Sequence, residues 1–201
     1  MHVATPYEPP DDADLIRRSL QDAEAFAGLY DRHAAPLHRY VARRLGDAAA
    51  DDIVADAFLD AFRRRHRYDL EVRDARPWLY GIAANLVGKH SRAEVRMLRA
   101  YARTGRDPVR AGDAASGDEI DSRLSAQAVQ RDLATALAAL SVADRDVLLM
   151  VAWADFSYHE VAAALHIPVG TVRSRLHRAR IKVRAALGGY DPTALRQEPV
   201  Q

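Results

Sequence analysis

The sequence predicts an all-α protein of two small helical domains joined by a flexible linker. Three observations carry that expectation. Apolar residues recur at spacings of three and four through most of the chain, and no stretch alternates apolar and polar as a half-buried strand does. The periodic segments begin and end on helix-capping residues. Between them lies ARTGRDPVRAGDAASGDEID, residues 102–121, rich in Gly, Ala, Asp and Arg and without a sustained apolar period.

The chain has 201 residues, 49% of them hydrophobic, enough for one or two cores. A formal net charge of +1 says little, because opposite charges are segregated along the sequence. Cysteine is absent, which excludes a disulfide framework, a thiolate metal site and a cysteine nucleophile. The opening MHVATPYEPPDDADLI is acidic and proline-rich, unlike a secretory signal. No apolar run approaches membrane-spanning length. The expectation is a soluble cytoplasmic protein with no membrane insertion.

Residues 1–13 read as a flexible tail, and a first domain is expected over 14–101. Phe26, Leu29, Tyr30, Leu37, Tyr40, Val41 and Leu45 form a helical stripe; Pro36 should divide it into two helices and Gly46 should end it. A helix over 51–65 buries Ile53, Val54, Ala57, Phe58, Ala61 and Phe62. On its far side Asp52, Asp56 and Asp60 line up at i, i+4 and i+8. Such a stripe is either a solvated acidic face or a docking surface for a basic partner helix.

Arg63-Arg64-Arg65-His66-Arg67 follows, a run that also complements the helix dipole. A polar loop over 68–75 leads to Arg76-Pro77-Trp78, where Pro77 suits a first helical turn. Trp78, Leu79, Ile82, Ala83, Leu86 and Val87 should be core. The other side carries Gly81, Ala84, Asn85, Gly88, Lys89 and Arg92, small residues beside donors. A nucleic-acid backbone can approach such a face closely while Asn, Lys and Arg reach phosphates or base edges. Trp78 could serve as a stacking partner for a base, but its place in the apolar stripe favours packing.

A second domain is expected over 122–188, with a loose tail over 189–201. Leu124, Val129, Leu133, Leu137 and Leu140 mark one helix; Ser141 and Asp144 cap the next, which bears Val147, Leu148, Val151 and Ala152. Ser157 with Glu160 is a capping box, so a helix should start at Tyr158. His166-Ile167-Pro168 interrupts it, and a further helix from Val169 buries Val172, Leu176, Ala179 and Val183. Two short helices about a tight turn form a helix-turn-helix. From Val161 to Tyr190 there is no acid, yet Arg173, Arg175, Arg178, Arg180, Lys182 and Arg184 are all present. A helix entering the major groove of DNA needs that field, because neutralising phosphates supplies most of the affinity.

At this helix the resemblance becomes specific. IPVGTVRSRLHRAR resembles the recognition helix of the extracytoplasmic-function (ECF) RNA polymerase sigma factors. DDIVADAFLDAF resembles the helix of that family that grips a coiled coil on the largest polymerase subunit, and RPWLYGIAANLVGKHSR resembles its −10 recognition segment. His166 stands in the turn where such motifs most often carry Gly, and Ala55 where the family often has Gln. The resemblance implies a promoter-specificity subunit whose partners are core RNA polymerase and promoter DNA, with room for an anti-sigma factor. It implies core binding through Asp52, Asp56 and Asp60, and −10 recognition through Asn85, Lys89 and Arg92. For the −35 element it implies Arg173, Ser174, His177 and Arg178, with Thr171 near a phosphate. The family's loop that captures a flipped base maps to Tyr68–Arg76.

Enzyme chemistry finds no support. His159-Glu160 begins like a zincin motif, but the position of the second histidine holds Ala163. There is no phosphate-cradling glycine loop, no nucleophile elbow and no dinucleotide fingerprint. The expectation is a non-enzyme with no cofactor and no metal. The alternative is a stand-alone helix-turn-helix regulator that binds an operator without polymerase, but it leaves the basic, loop and aromatic segment at 63–92 unused. A purely structural interaction protein leaves both basic surfaces unexplained.

Overall fold

In a computed structural model the described residues, 10–104 and 120–188, form helices and connecting turns, with no strand among them. Helix α1 (Asp12–Ser19) is capped by the Asp11 side chain, which accepts from the Asp14 N–H at 2.8 Å. The helix therefore starts at Asp12, so residues 12 and 13 are helical; residues 1–9 of the tail expected over 1–13 lie outside the described residues. A short 3-10 turn (Ala23–Phe26) leads into α2 (Ala27–Leu45).

Pro36 does not divide α2. A proline inside a helix removes one hydrogen bond, but Leu29, Leu37, Tyr40 and Val41 lie on both sides of it in one buried stripe. Tertiary burial of that stripe outweighs the local penalty. Gly46 then breaks the chain at φ 87°, a conformation with little steric cost only for glycine. Helix α3 (Asp47–Arg64) follows and packs along α2.

Helix α4 (Arg76–Lys89) carries Pro77 in its first turn, as expected. It is enclosed by neighbours: Leu79, Tyr80, Gly81, Ile82, Ala83, Ala84 and Val87 are all buried. Helix α5 (Ser91–Thr104) completes the first module.

The second module contains α6 (Ile120–Ala139), α7 (Val142–Trp153), α8 (Tyr158–Leu165) and α9 (Val169–Ala186). Ser141 accepts from the Asp144 N–H, and Ser157 and Glu160 form the expected reciprocal capping box. His166 ends α8 in the left-handed region at φ 52°, which explains why this turn favours glycine. Val172, Leu176, Ala179 and Val183 of α9 are buried, as the spacing required. The greater part of the linker expected over 102–121, and the tail over 189–201, lie outside the described residues.

The two modules touch. Buried apolar residues of both run together into one cluster, with α8 lying on α4 and α6 lying along α5.

Candidate nucleic-acid interface

On α9 the expected DNA-facing residues occupy the side away from the buried stripe. Arg173, Ser174, His177 and Arg178 are exposed, and Thr171 is half-buried in the first turn. The Ser174 hydroxyl donates to the Thr171 carbonyl at 3.0 Å. Arg178 also has a partner within the module: its Nη2 donates to Oδ1 of the buried Asp144 at 2.9 Å. That ion pair fastens α9 to the start of α7 and leaves about half of the Arg178 side chain exposed, at 54%.

Asn85 and Lys89 are exposed one turn apart on α4, and Arg92 is exposed at the start of α5. The side chains around them are less open than the sequence suggested. Gly81 and Ala84, read as a bare face for a nucleic-acid backbone, are buried. A Cβ on Gly81 would lie 2.2 Å from the Ala164 carbonyl oxygen, so α8 occupies the approach that the glycine opens. The small side chain is used here for helix–helix contact.

The loop before α4 is held by internal bonds. Tyr68 donates its hydroxyl to the Val72 carbonyl at 2.7 Å and packs against Trp78, ring centroids 4.9 Å apart. Trp78 is accordingly half-buried, a floor for the loop. Desolvation raises the Tyr68 pKa, with Asp12, Asp74, Asp69 and Asp11 adding to it, so its hydroxyl remains a donor at neutral pH.

Asp12 anchors the end of this loop, a role no sequence motif announced. Its Oδ2 accepts from the Ala75 N–H at 2.9 Å and lies 2.7 Å from His33 Nε2, while Arg32 donates to Oδ1. Burial opposes its charge, but the bonds to His33, Ala75 and Arg32 prevail and hold its pKa below the usual 3.8. Asp12, His33 and Asp74 form the one cluster of possible metal ligands found among the described residues. Asp74 Oδ1 accepts from the Arg76 N–H at 2.8 Å, so each carboxylate of the cluster already serves the backbone or a neighbouring side chain. The set fits a structural hub.

Of the basic run, Arg65 is structural: it donates to the Phe62 and Ser19 carbonyls and lies over the Phe62 ring, 3.8 Å from its centroid. Arg64 pairs with Asp60 at 3.1 Å. Arg63, His66 and Arg67 are exposed.

On α3, Asp52 and Asp56 are exposed and Asp60 is half-buried. Beside them a groove of about 540 Å³ runs between α2 and α3, lined by Tyr30, Ala34, Val54 and Ala55 with Asp31 and Asp51 at its edges. Tyr30, read as a member of the apolar stripe, is 50% exposed and rests edge-on against Phe58. An aromatic beside a line of acids is a feature that spacing alone could not separate from core.

Comparison with known proteins places these surfaces in a family context. The family models Sigma-70 region 2 and Sigma-70, region 4 match residues 29–97 and 130–183. The ECF RNA polymerase sigma factor SigL of Mycobacterium tuberculosis is 34% identical over 167 residues, covering 83% of this chain and 90% of that protein. The RNA polymerase sigma factor CarQ of Myxococcus xanthus is 32% identical over 176 residues, covering 87% and 95%. Among solved structures, CnrH in complex with the cytosolic domain of CnrY aligns with a TM-score of 0.57 and 28% identity, over 88% of this chain and 97% of that one.

Proposed function

Because the chain belongs to the ECF family of RNA polymerase sigma factors, we infer that it is a promoter-specificity subunit, which binds core polymerase, recognises the −35 and −10 elements and starts transcription. The observation that carries the residue assignments is the presence of two separate cationic surfaces on one chain. One is the outer face of α9, with Thr171, Arg173, Ser174, His177 and Arg178; the other is the Asn85, Lys89 and Arg92 side of α4 and α5. A stand-alone operator binder needs only the first. The line of Asp52, Asp56 and Asp60 beside the Tyr30 groove supplies the polymerase-docking face, acidic and partly apolar as a basic amphipathic partner requires.

In this reading α9 enters the major groove of the −35 duplex. The loop at 68–75 and the start of α4 receive a base flipped from the −10 element, at a cost of a few kcal/mol that phosphate contacts from Lys89 and Arg92 offset. RNA synthesis belongs to the polymerase, so the chain acts without catalysing a reaction, and its place of action is the cytoplasm. CnrH was solved holding a second chain, and an anti-sigma partner is part of the proposal.

The two surfaces should be separable by mutation. Arg178→Ala removes a contact worth about 1–3 kcal/mol of base discrimination and should weaken −35 duplex binding roughly tenfold. Asn85→Ala should leave that binding unchanged and reduce permanganate reactivity of −10 thymines in the open complex. A template already mispaired across the −10 region should recover part of the loss. Equal weakening of −35 binding by both changes, with strand opening intact, would contradict the assignment of the first module.

A further inference from the structure

The cations of α9 are not equivalent. The helix carries Arg173, Arg175, Arg178, Arg180, Lys182 and Arg184, and no acid of its own. One carboxylate nevertheless reaches its outer face, from 34 residues away: Asp144, in the first turn of α7, whose Oδ1 accepts from Arg178 Nη2 at 2.9 Å. The exposed Arg173 and Lys182 have no ion-pair partner among the described residues.

Asp144 is fixed before any DNA arrives. Its N–H donates to the Ser141 hydroxyl at 3.1 Å, and the residue is only 5% exposed. A first turn also suits a negative charge, because the helix dipole is positive there. The Arg178 side chain is 54% exposed, and its Nε and Nη1 donors have no partner among the described residues.

Two physical effects follow. A guanidinium is planar and forked, so a bond to a buried carboxylate fixes its plane and directs the donors that are left over. A side chain ordered beforehand loses less freedom on binding. The carboxylate also cancels the formal charge of the arginine. Attraction to phosphate depends on charge, and each neutralised phosphate adds affinity for any sequence alike. A hydrogen bond to a base edge depends on where the donors point, and such bonds distinguish sequences.

We propose that Asp144 is a positioning residue that sets sequence selectivity: it holds Arg178 in one orientation for a base edge in the major groove and withholds the charge of that arginine from phosphates. The unpaired Arg173 and Lys182 supply the sequence-independent attraction. The role rests on the reading of α9 as the helix that enters the −35 duplex. Removing this buried acid should therefore tighten DNA binding and make it less selective.

Asp144→Asn keeps the shape and loses the charge, and Asp144→Ala also frees the guanidinium. Binding of the full chain to a duplex of unrelated sequence, followed by fluorescence anisotropy over a salt series, reads the charge. Both variants should bind it about threefold tighter at moderate salt, with the slope of log K against log salt steeper by up to about 0.9. The chain bound to core polymerase then selects from a promoter library randomised at the −35 element, which reads the orientation. At the base pair where Arg178→Ala loses preference, Asp144→Ala should lose it too, about tenfold. In an Arg178→Ala background Asp144→Ala should change that preference no further, since the pair is already broken.

A carboxylate that only holds helices together behaves otherwise. Its loss lowers the melting temperature and weakens all duplexes together, with or without Arg178. Parental selectivity in Asp144→Ala, with helical content preserved, would overturn the proposal. If Asp144→Ala does not fold, the isosteric Asp144→Asn decides alone: unchanged or weaker binding to the unrelated duplex would overturn it. A parent chain that selects no −35 sequence would overturn the reading of α9 itself, and the role of Asp144 with it. That result is distinct from a selective parent whose Asp144 variants are equally selective.

Discussion

Asp12 carries more of the first module than its position near the start of the chain suggests. It stands in the first turn of α1, 3% exposed, and joins α1 to α2 through His33 and Arg32 and to the loop before α4 through the Ala75 N–H. Its partners lie 21 and 63 residues away, beyond any local pattern, so the sequence showed only an acid in a proline-rich tail. Its folded-state pKa is depressed, so the folded chain holds its proton less tightly than the unfolded chain does. The resulting stability is present above the ordinary value of 3.8 and is lost as pH falls through the lower folded value. Asp12→Asn should cost about 1–3 kcal/mol at pH 7, because it weakens charge-assisted bonds to buried groups. It should also remove part of the acid-induced loss, and both effects can be read in urea titrations at a series of pH values. A variant with parental stability at pH 7 would show that the hub is not what holds the loop. Asp56 presents the opposite case, an exposed acid whose spacing was legible at once. Asp56→Lys should leave unfolding unchanged within about 0.5 kcal/mol and weaken capture of core polymerase in a pull-down titration. Parental capture would remove the stripe from the docking face.

Among the helices, what was legible followed from local chemistry. The capping box at Ser157 and Glu160, the Ser141 cap, Pro77 in a first turn and Gly46 at a helix end are all decided within a few residues. Where a distant partner decides, the sequence misled. Pro36 reads as a break, but the helix continues because the stripe on both sides is buried. Gly81 and Ala84 read as an open face, but α8 lies against α4. Tyr30 reads as core but lines a groove. The turn between α8 and α9 offers a quantitative check. His166 adopts φ 52°, a conformation that costs a residue with a Cβ roughly 1–2 kcal/mol. His166→Gly removes that cost and adds backbone entropy to the unfolded chain, so the net gain should be up to about 1 kcal/mol. A higher melting temperature with unchanged −35 duplex binding is the expected result. A lower one would mean that the exposed imidazole makes a stabilising contact that the backbone geometry does not reveal.

At the scale of the whole molecule, the order of modules was legible because each carries its own motif, and the relation between them was not. A linker rich in Gly, Ala and Asp suggested independent domains, yet Glu94 meets Arg44 and Arg145 across separations of 50 and 51 residues. Nothing in the spacing of three ordinary charges announces that they will be buried together. Membership of the sigma-factor family rests on matches across both modules, and the structure adds that the same chain presents an exposed basic face on α9, the exposed Lys89 and Arg92 on α4 and α5, and a groove with acids at its edges. The measurement that tests this account most directly is transcription in a purified system. Core polymerase lacking any sigma factor is mixed with this chain and a library of promoter fragments, and the transcripts are sequenced. The account expects transcripts that begin at fixed positions downstream of a shared pair of elements, and their loss in the Asn85→Ala variant on duplex but not on mispaired templates. Tight binding to an operator duplex without polymerase, together with no transcript above the level of core alone, would contradict it.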